Sequence, residues 1–208
     1  MQSHDHREFM AANGELTYAR IDGLPVPCAS EETGDERMSE LDVRQADFGD
    51  LRLLEAAFGE GDYFDDRYER QKNGLGVLFT AWLDTSAVGH VYLWLEDAEE
   101  APINQYLPGI PLLTHLRVLP EYRNRRFGTR LIAEVQDYLE QDDYWHVALA
   151  ARTDNDEAIR LYQRLGYRDW EHGLVECIAV RTNPDGDVEY ESEQCHVLIR
   201  RLVQGCYD

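Results

Sequence analysis

The sequence predicts a mixed α/β domain in which one sheet carries helices on its faces. Three observations carry this expectation. Apolar runs at 76–83 and 88–95 have the β-branched and aromatic content of strands. The segments 129–141 and 154–165 instead repeat their apolar residues at helical spacing. Strand-like and helix-like segments alternate as βα(α)βββαβαββ with no internal repeat, which fits a mixed sheet with helical layers. A length of 208 residues accommodates one such domain, or one plus an appendage, with a core that needs no disulfide or metal.

Residues 1–38 are polar, turn-rich and without sustained periodicity, and are expected to form a flexible extension, leaving 39–208 as the folded domain. Leu41-Asp42-Val43-Arg44 alternates as a strand does, and Asp47 is placed to cap a helix carrying Leu51, Leu54, Ala57 and Phe58. A short second helix is expected over 63–71. Asp84-Thr85-Ser86 turns the 76–83 strand into the 88–95 strand. Pro102 and Pro111 bound an expected loop, and 114–119 is an expected buried strand that Pro120 stops. Leu131, Ile132, Val135, Tyr138 and Leu139 form one stripe on the 129–141 helix. A strand at 146–151 precedes Asp154 and Glu157, which together suggest a capping box for a helix that Gly166 ends. Two strands near 176–180 and 189–203 are joined by the turn signal Asn183-Pro184-Asp185-Gly186.

Twenty Lys and Arg against 41 Asp and Glu give a net charge of −21. Such a surface repels nucleic acid and anionic membranes and favours cationic partners. The sequence contains no apolar run of membrane-spanning length and no apolar leader, and its four cysteines show no CxxC spacing. A cytoplasmic location with reduced thiols and no bound metal is the expectation.

One stretch reverses the charge. Arg117, Arg123, Arg125, Arg126 and Arg130 lie within 14 residues that hold a single acid, Glu121, whereas the rest of the chain carries 15 bases against 40 acids. The cluster leads from a strand into a helix, whose first N–H groups and dipole suit an anion such as phosphate. The competing reading is a solvated loop whose arginines pair with surface acids. Neither a Walker A pattern nor a three-glycine dinucleotide fingerprint is present.

The run Val118-Leu119-Pro120-Glu121-Tyr122-Arg123-Asn124-Arg125-Arg126-Phe127-Gly128-Thr129-Arg130-Leu131 resembles the acetyl-CoA signature of the GCN5-related N-acetyltransferases (GNAT). Asn155-Asp156-Glu157-Ala158-Ile159-Arg160-Leu161-Tyr162-Gln163-Arg164-Leu165-Gly166-Tyr167 resembles the second motif of that family, in order and at its spacing. The resemblance implies the GNAT fold, a mostly antiparallel sheet flanked by helices and splayed at the acetyl-CoA site. It also implies acetyl-CoA as co-substrate and an amine as acceptor. By the same resemblance, Leu116, Arg117 and Val118 pair through their backbones with the pantetheine arm and acetyl carbonyl. Arg123, Asn124, Arg125, Arg126, Phe127, Gly128 and Thr129 take the pyrophosphate, and Asn155 bonds the pantetheine arm. Arg126 stands where the family usually has a glycine.

Tyr162 matches the residue that protonates the leaving thiolate in the family, although the bare pattern Ala158, Tyr162, Leu165 also suits a core aromatic. At the two positions where family members carry a glutamate as general base, this chain has Ala150 and Leu112. His115, with an intrinsic pKa suited to the task, is the candidate base, beside Glu96, Asp97, Tyr106 and a water chain. Acids and aromatics over 60–66, among them Tyr63 and Asp65, together with Glu96 and Tyr106, suit a cationic acceptor. Three functions compete: acetylation of a small cationic amine, acetylation of a protein N-terminus or Lys, and a silent acyl-CoA-binding module. The C-terminal strands leave an edge suited to pairing across a homodimer.

Overall fold

The computed structural model describes residues 40–182 and 188–202. The expected extension 1–38 and the turn at 183–186 therefore lie outside the described residues. Seven strands form one sheet in the order β1-β2-β3-β4-β5-β7-β6. They are β1 (Leu41–Gln45), β2 (Gly76–Leu83), β3 (Ser86–Trp94), β4 (Leu112–Val118), β5 (His146–Arg152), β6 (Arg168–Thr182) and β7 (Val188–Arg201). Every neighbouring pair is antiparallel except β4 and β5. The helices are α1 (Leu51–Phe58), α2 (Gly61–Lys72), α3 (Ala101–Tyr106), α4 (Phe127–Gln141) and α5 (Asp156–Arg164), with a 3-10 turn at Pro120–Tyr122.

The apolar pattern explains which helix covers which face. On one face Val77, Phe79, Val91, Leu93 and Leu149 meet the α4 stripe of Leu131, Ile132, Val135 and Leu139. Each such side chain, fully withdrawn from water, contributes about 1.5–3 kcal/mol. On the other face Leu51, Leu54, Phe58 and Phe64 of α1 and α2 pack on Leu78, Trp82 and Tyr92. A third cluster joins Ile103 of α3 to Leu112, Ala148, Trp170 and Val197.

Several local expectations need correction. Residues 101–106 are helical rather than looped, because Pro102 sits in the first turn, where its missing N–H costs nothing, and Ile103 is buried as an anchor. Asn155, not Asp154, caps α5: its side chain accepts from Ala158 N at 3.1 Å, while Asp154 pairs with Arg152 at 2.6 Å. Asp47 accepts from Gly49 N and Asp50 N, so it builds the turn before α1, and Asp50 takes the N-cap position. The first of the two C-terminal strands, β6, is also longer than its sequence signal at 176–180.

Two irregularities of β4 shape the centre of the sheet. Between the pairs His90↔Arg117 and Tyr92↔Thr114, β3 advances two residues while β4 spends three. This bulge holds His115 at φ 54°, a left-handed backbone, and shifts the alternation so that Leu116 and Val118 join Leu113 on the α4 face. Its parallel pairing with β5 ends after Leu112↔Ala148 and Leu113↔Leu149. Beyond those residues the strands part, and β4 is half-open rather than the buried strand the sequence predicts.

Candidate active site

Where β4 and β5 separate, residues 114, 117 and 118 keep partners only on β3, 115 and 116 fall in the bulge, and residues 150–152 pair only with β7. Backbone groups facing the gap are thereby left without a sheet partner. Leu116 and Val118 border it from β4, and Leu161 approaches from α5. A Cβ built on Gly128 would meet these three side chains at 3.8–3.9 Å, ordinary contact distance, and no left-handed angle forces a glycine there. The fold itself does not demand Gly128. The absent side chain matters only for what approaches from outside, which is what a cradle for a ligand requires.

The segment 123–129 lies at the mouth of this gap. Asn124 at φ 61° and Arg126 at φ 65° are both left-handed, and Arg126 holds the N-cap position of α4. The first hydrogen bond into the helix is Arg130 N to Arg126 O at 3.0 Å. Among the described residues, the N–H groups of 124–129 donate to no carbonyl, so several point outward together at the positive end of a helix. Arg123 Nε donates to Val118 O at 3.2 Å, and the Arg125 guanidinium lies 5.6 Å from the Tyr122 ring centre. Among the described residues, none of Arg123, Arg125, Arg126 and Arg130 forms an ion pair. In a chain with 41 acids this argues against the solvated, paired loop and for a site kept open to an anion.

The angle at Arg126 makes the sequence departure costly, because a left-handed N-cap favours glycine. An Arg there carries backbone strain of about 1–2 kcal/mol, partly offset by the smaller conformational freedom it has in the unfolded chain. Replacing Arg126 with Gly should therefore stabilise the fold by about 0.5–1 kcal/mol, seen as a small rise in Tm. A lower Tm would show that the arginine side chain contributes more to the fold than its backbone angle costs.

Tyr162 of α5 packs against the α4-side core with its ring 5.8 Å from that of Tyr167. The Tyr167 hydroxyl accepts from Gln136 at 3.1 Å, whereas nothing among the described residues hydrogen-bonds the hydroxyl of Tyr162. Burial, with a smaller contribution from Tyr167, pushes the Tyr162 phenol well above its usual pKa, so it stays protonated at any working pH. Asn155 uses its carbonyl oxygen to cap α5, which leaves its amide N–H groups to donate elsewhere.

The opposite face of β4 holds a second cluster. Glu60, at the N-cap position of α2, accepts from His115 Nε2 at 3.1 Å, and its other oxygen pairs with Arg117. Tyr63 lies nearly parallel to His115 at 4.4 Å, and His90 sits beside His115 at 5.5 Å. His90 is fully buried, with Phe58 and Phe64 edge-on to its ring and, among the described residues, no hydrogen-bond partner for either nitrogen. Burial first, then the charges of His115 and Arg117, push its pKa down to about 3, against the opposing pull of Glu60. Burial alone would raise the pKa of Glu60, but the hydrogen bond and charge of His115, together with Arg117 and His90, outweigh it and hold the group ionised. Ligand atoms of Glu60, His90 and His115 lie within 4.8 Å of one another, a spacing that suits a cation. The Arg117 guanidinium on the same carboxylate already supplies the positive charge there.

Residues predicted from the sequence thus separate into groups. Leu116, Val118, Gly128 and α5 converge on the gap. Arg117 faces away from it, onto Glu60. Of the acceptor candidates, only Tyr63 joins His115. Asp65 lines a separate surface groove with Phe48, Leu51, Arg52 and Glu55. Glu96 pairs with Arg70, and Tyr106 stacks on His172 at 4.1 Å. Neither Glu60 as a partner of His115 nor the buried His90 was singled out by sequence reasoning. The contact spans 55 residues, and only the bulge in β4 brings it about.

A sequence model described as the acetyltransferase (GNAT) family matches residues 32–167. No curated protein matches the sequence. Solved structures share the fold. The ribosomal-protein-S18-alanine N-acetyltransferase of Escherichia coli aligns at 14% identity over 81% of this chain and 98% of its own, with a TM-score of 0.56. Arabidopsis thaliana NAA60 with a bisubstrate analogue aligns at 20% over 80% and 100%, with a TM-score of 0.56. The spermidine N-acetyltransferase of Vibrio cholerae, solved with CoA and spermine, aligns at 15% over 80% and 98%, with a TM-score of 0.57.

Proposed function

The chain belongs to the GNAT acetyltransferase family, and from that premise we propose that it moves an acetyl group from acetyl-CoA to the primary amine of a small cationic acceptor by direct attack. The observation that carries this reading is the arginine loop, free of ion pairs among the described residues and with outward N–H groups, set at the mouth of the gap between β4 and β5. Acetyl-CoA supplies the acyl group activated as a thioester.

The N–H groups of 124–129, with Arg123, Arg125 and Arg126, would hold its pyrophosphate. The open backbone of Leu116, Arg117 and Val118 and the amide of Asn155 would line its pantetheine arm. Tyr162, protonated and with no partner for its hydroxyl among the described residues, would donate a proton to the departing sulfur. His115 would take the proton that the acceptor amine loses. The net charge of −21 favours a cationic acceptor over an anionic one. The cytoplasmic setting rests on the cysteine pattern. Among the described residues, no helix is long and apolar enough to cross a membrane.

The test is CoA release from acetyl-CoA across a panel of polyamines, aminoglycosides, amino-acid amides, peptides with a free N-terminus and N-blocked peptides with an internal Lys. Turnover greatest on the polyamines or other small cations supports the reading. Turnover confined to peptides would transfer the function to protein acetylation. CoA binding without turnover on any amine would indicate a silent acyl-CoA-binding module.

A further inference from the structure

Accepting that acetyl-transfer reading, we propose that Glu60 is the positioning residue of the base: it fixes the ring and tautomer of His115 so that Nδ1 is the nitrogen that takes the acceptor's proton. The inference starts from what Glu60 does not do. It stands at the N-cap position of α2, where a side chain commonly accepts from the helix N–H groups, yet its carboxylate caps nothing. One oxygen turns to His115 Nε2 at 3.1 Å and the other to Arg117. Burial penalises such a carboxylate, and it remains ionised through these contacts.

An ionised carboxylate has no proton to give, so the shared proton belongs to His115 Nε2, which donates. The neutral imidazole then carries its lone pair on Nδ1. In the reaction the ammonium of the acceptor gives one proton to Nδ1, leaving a neutral amine to attack and an imidazolium whose Nε2–H still donates to Glu60. No other reactant is needed: as the tetrahedral adduct collapses, Tyr162 protonates the departing sulfur, the second proton leaving the nitrogen restores the one Tyr162 gave, and the proton held on His115 passes to water.

The surroundings support a directed ring rather than a packed one. His115 sits at the bulge with φ 54°, a strained angle that the extended strand would otherwise avoid. Tyr63 of α2 covers one side of the ring at 4.4 Å. Neighbouring His90 of β3 stays neutral above pH ~4, so it neither competes for the proton nor repels the imidazolium. Among the described residues, Arg117 of β4 is a further charged neighbour, and it is paired to Glu60. Carboxylate, imidazole and acceptor thus form a relay of roles like that of other orienting acid–His pairs, with Glu60 touching only the histidine and the arginine.

Two measurements test the proposal. The first compares Glu60→Ala, Glu60→Gln, His115→Ala and the double variant. Glu60→Ala should lower kcat about 10–100-fold with KM for acetyl-CoA unchanged, and Glu60→Gln, which retains an accepting oxygen, should recover part of the loss. In the His115→Ala background, removing Glu60 should cost nothing further in kcat. An unchanged kcat in Glu60→Ala, or losses that add in the double variant, would overturn it. The second reads the 15N chemical shifts of His115 in the wild-type protein at pH 9 and needs neither turnover nor a folded variant. A proton on Nε2 supports the proposal, and a proton on Nδ1 overturns it even if the protein acetylates amines by another route.

Discussion

Replacing Tyr162 by Phe should lower kcat about 10²-fold while leaving Tm and CoA affinity close to wild type. The ring contributes packing against the α4-side core, and Phe retains that contribution. The hydroxyl has no hydrogen-bond partner among the described residues, so its removal leaves no orphaned group behind. Burial keeps the phenol protonated, which is the state a proton donor requires. A core tyrosine with no chemical duty would give the opposite pattern, with turnover untouched. The kcat of a well-folded Phe variant therefore separates the two roles. Wild-type turnover would remove Tyr162 from the mechanism.

Reversing Arg125 and Arg126 together to Glu should weaken CoA binding about 100-fold, on the order of tenfold for each lost charge-assisted contact, with the larger loss at low salt. Neither arginine pairs with an acid among the described residues, and Arg125 offers the fold only its position over Tyr122. The stability of the double variant should therefore change little. Reversal of Arg52, exposed on α1 in a different groove, makes half that change to net charge and should leave CoA affinity almost unaltered. A loss in the Arg52 variant of about half the double variant's in free energy, measured by calorimetry, would show that only the overall charge matters and that 123–129 is no specific phosphate site.

How much of this was legible in the sequence depended on the range of the interaction. The α4 stripe of Leu131, Ile132, Val135 and Leu139 is set by helical periodicity, so the helix and its buried face could be read directly. The hairpin strands Gly76–Leu83 and Ser86–Trp94 were equally plain from their composition. The family itself was legible because two motifs lie on consecutive strand–helix units, and the matched region spans residues 32–167. Local competition was harder to judge. Asp154 and Asn155 are both good caps, and the choice of Asn155 followed from Arg152 engaging Asp154. Pro102 looked like a loop former because the burial of Ile103 that anchors α3 is a tertiary effect. Least legible was the cluster around His115. Its shape needs one extra residue in β4 and a carboxylate from 55 positions away, and no local pattern encodes either.

Most directly, the account is tested by calorimetric titration of the wild-type chain with CoA and acetyl-CoA at two salt concentrations. It predicts one-to-one binding that weakens as salt is raised, because unpaired arginines and outward N–H groups at the start of α4 meet the phosphates of the ligand. Absence of binding at either salt concentration, in a protein shown to be folded, would contradict the assignment of the gap between β4 and β5 and the acetyl-transfer function built on it.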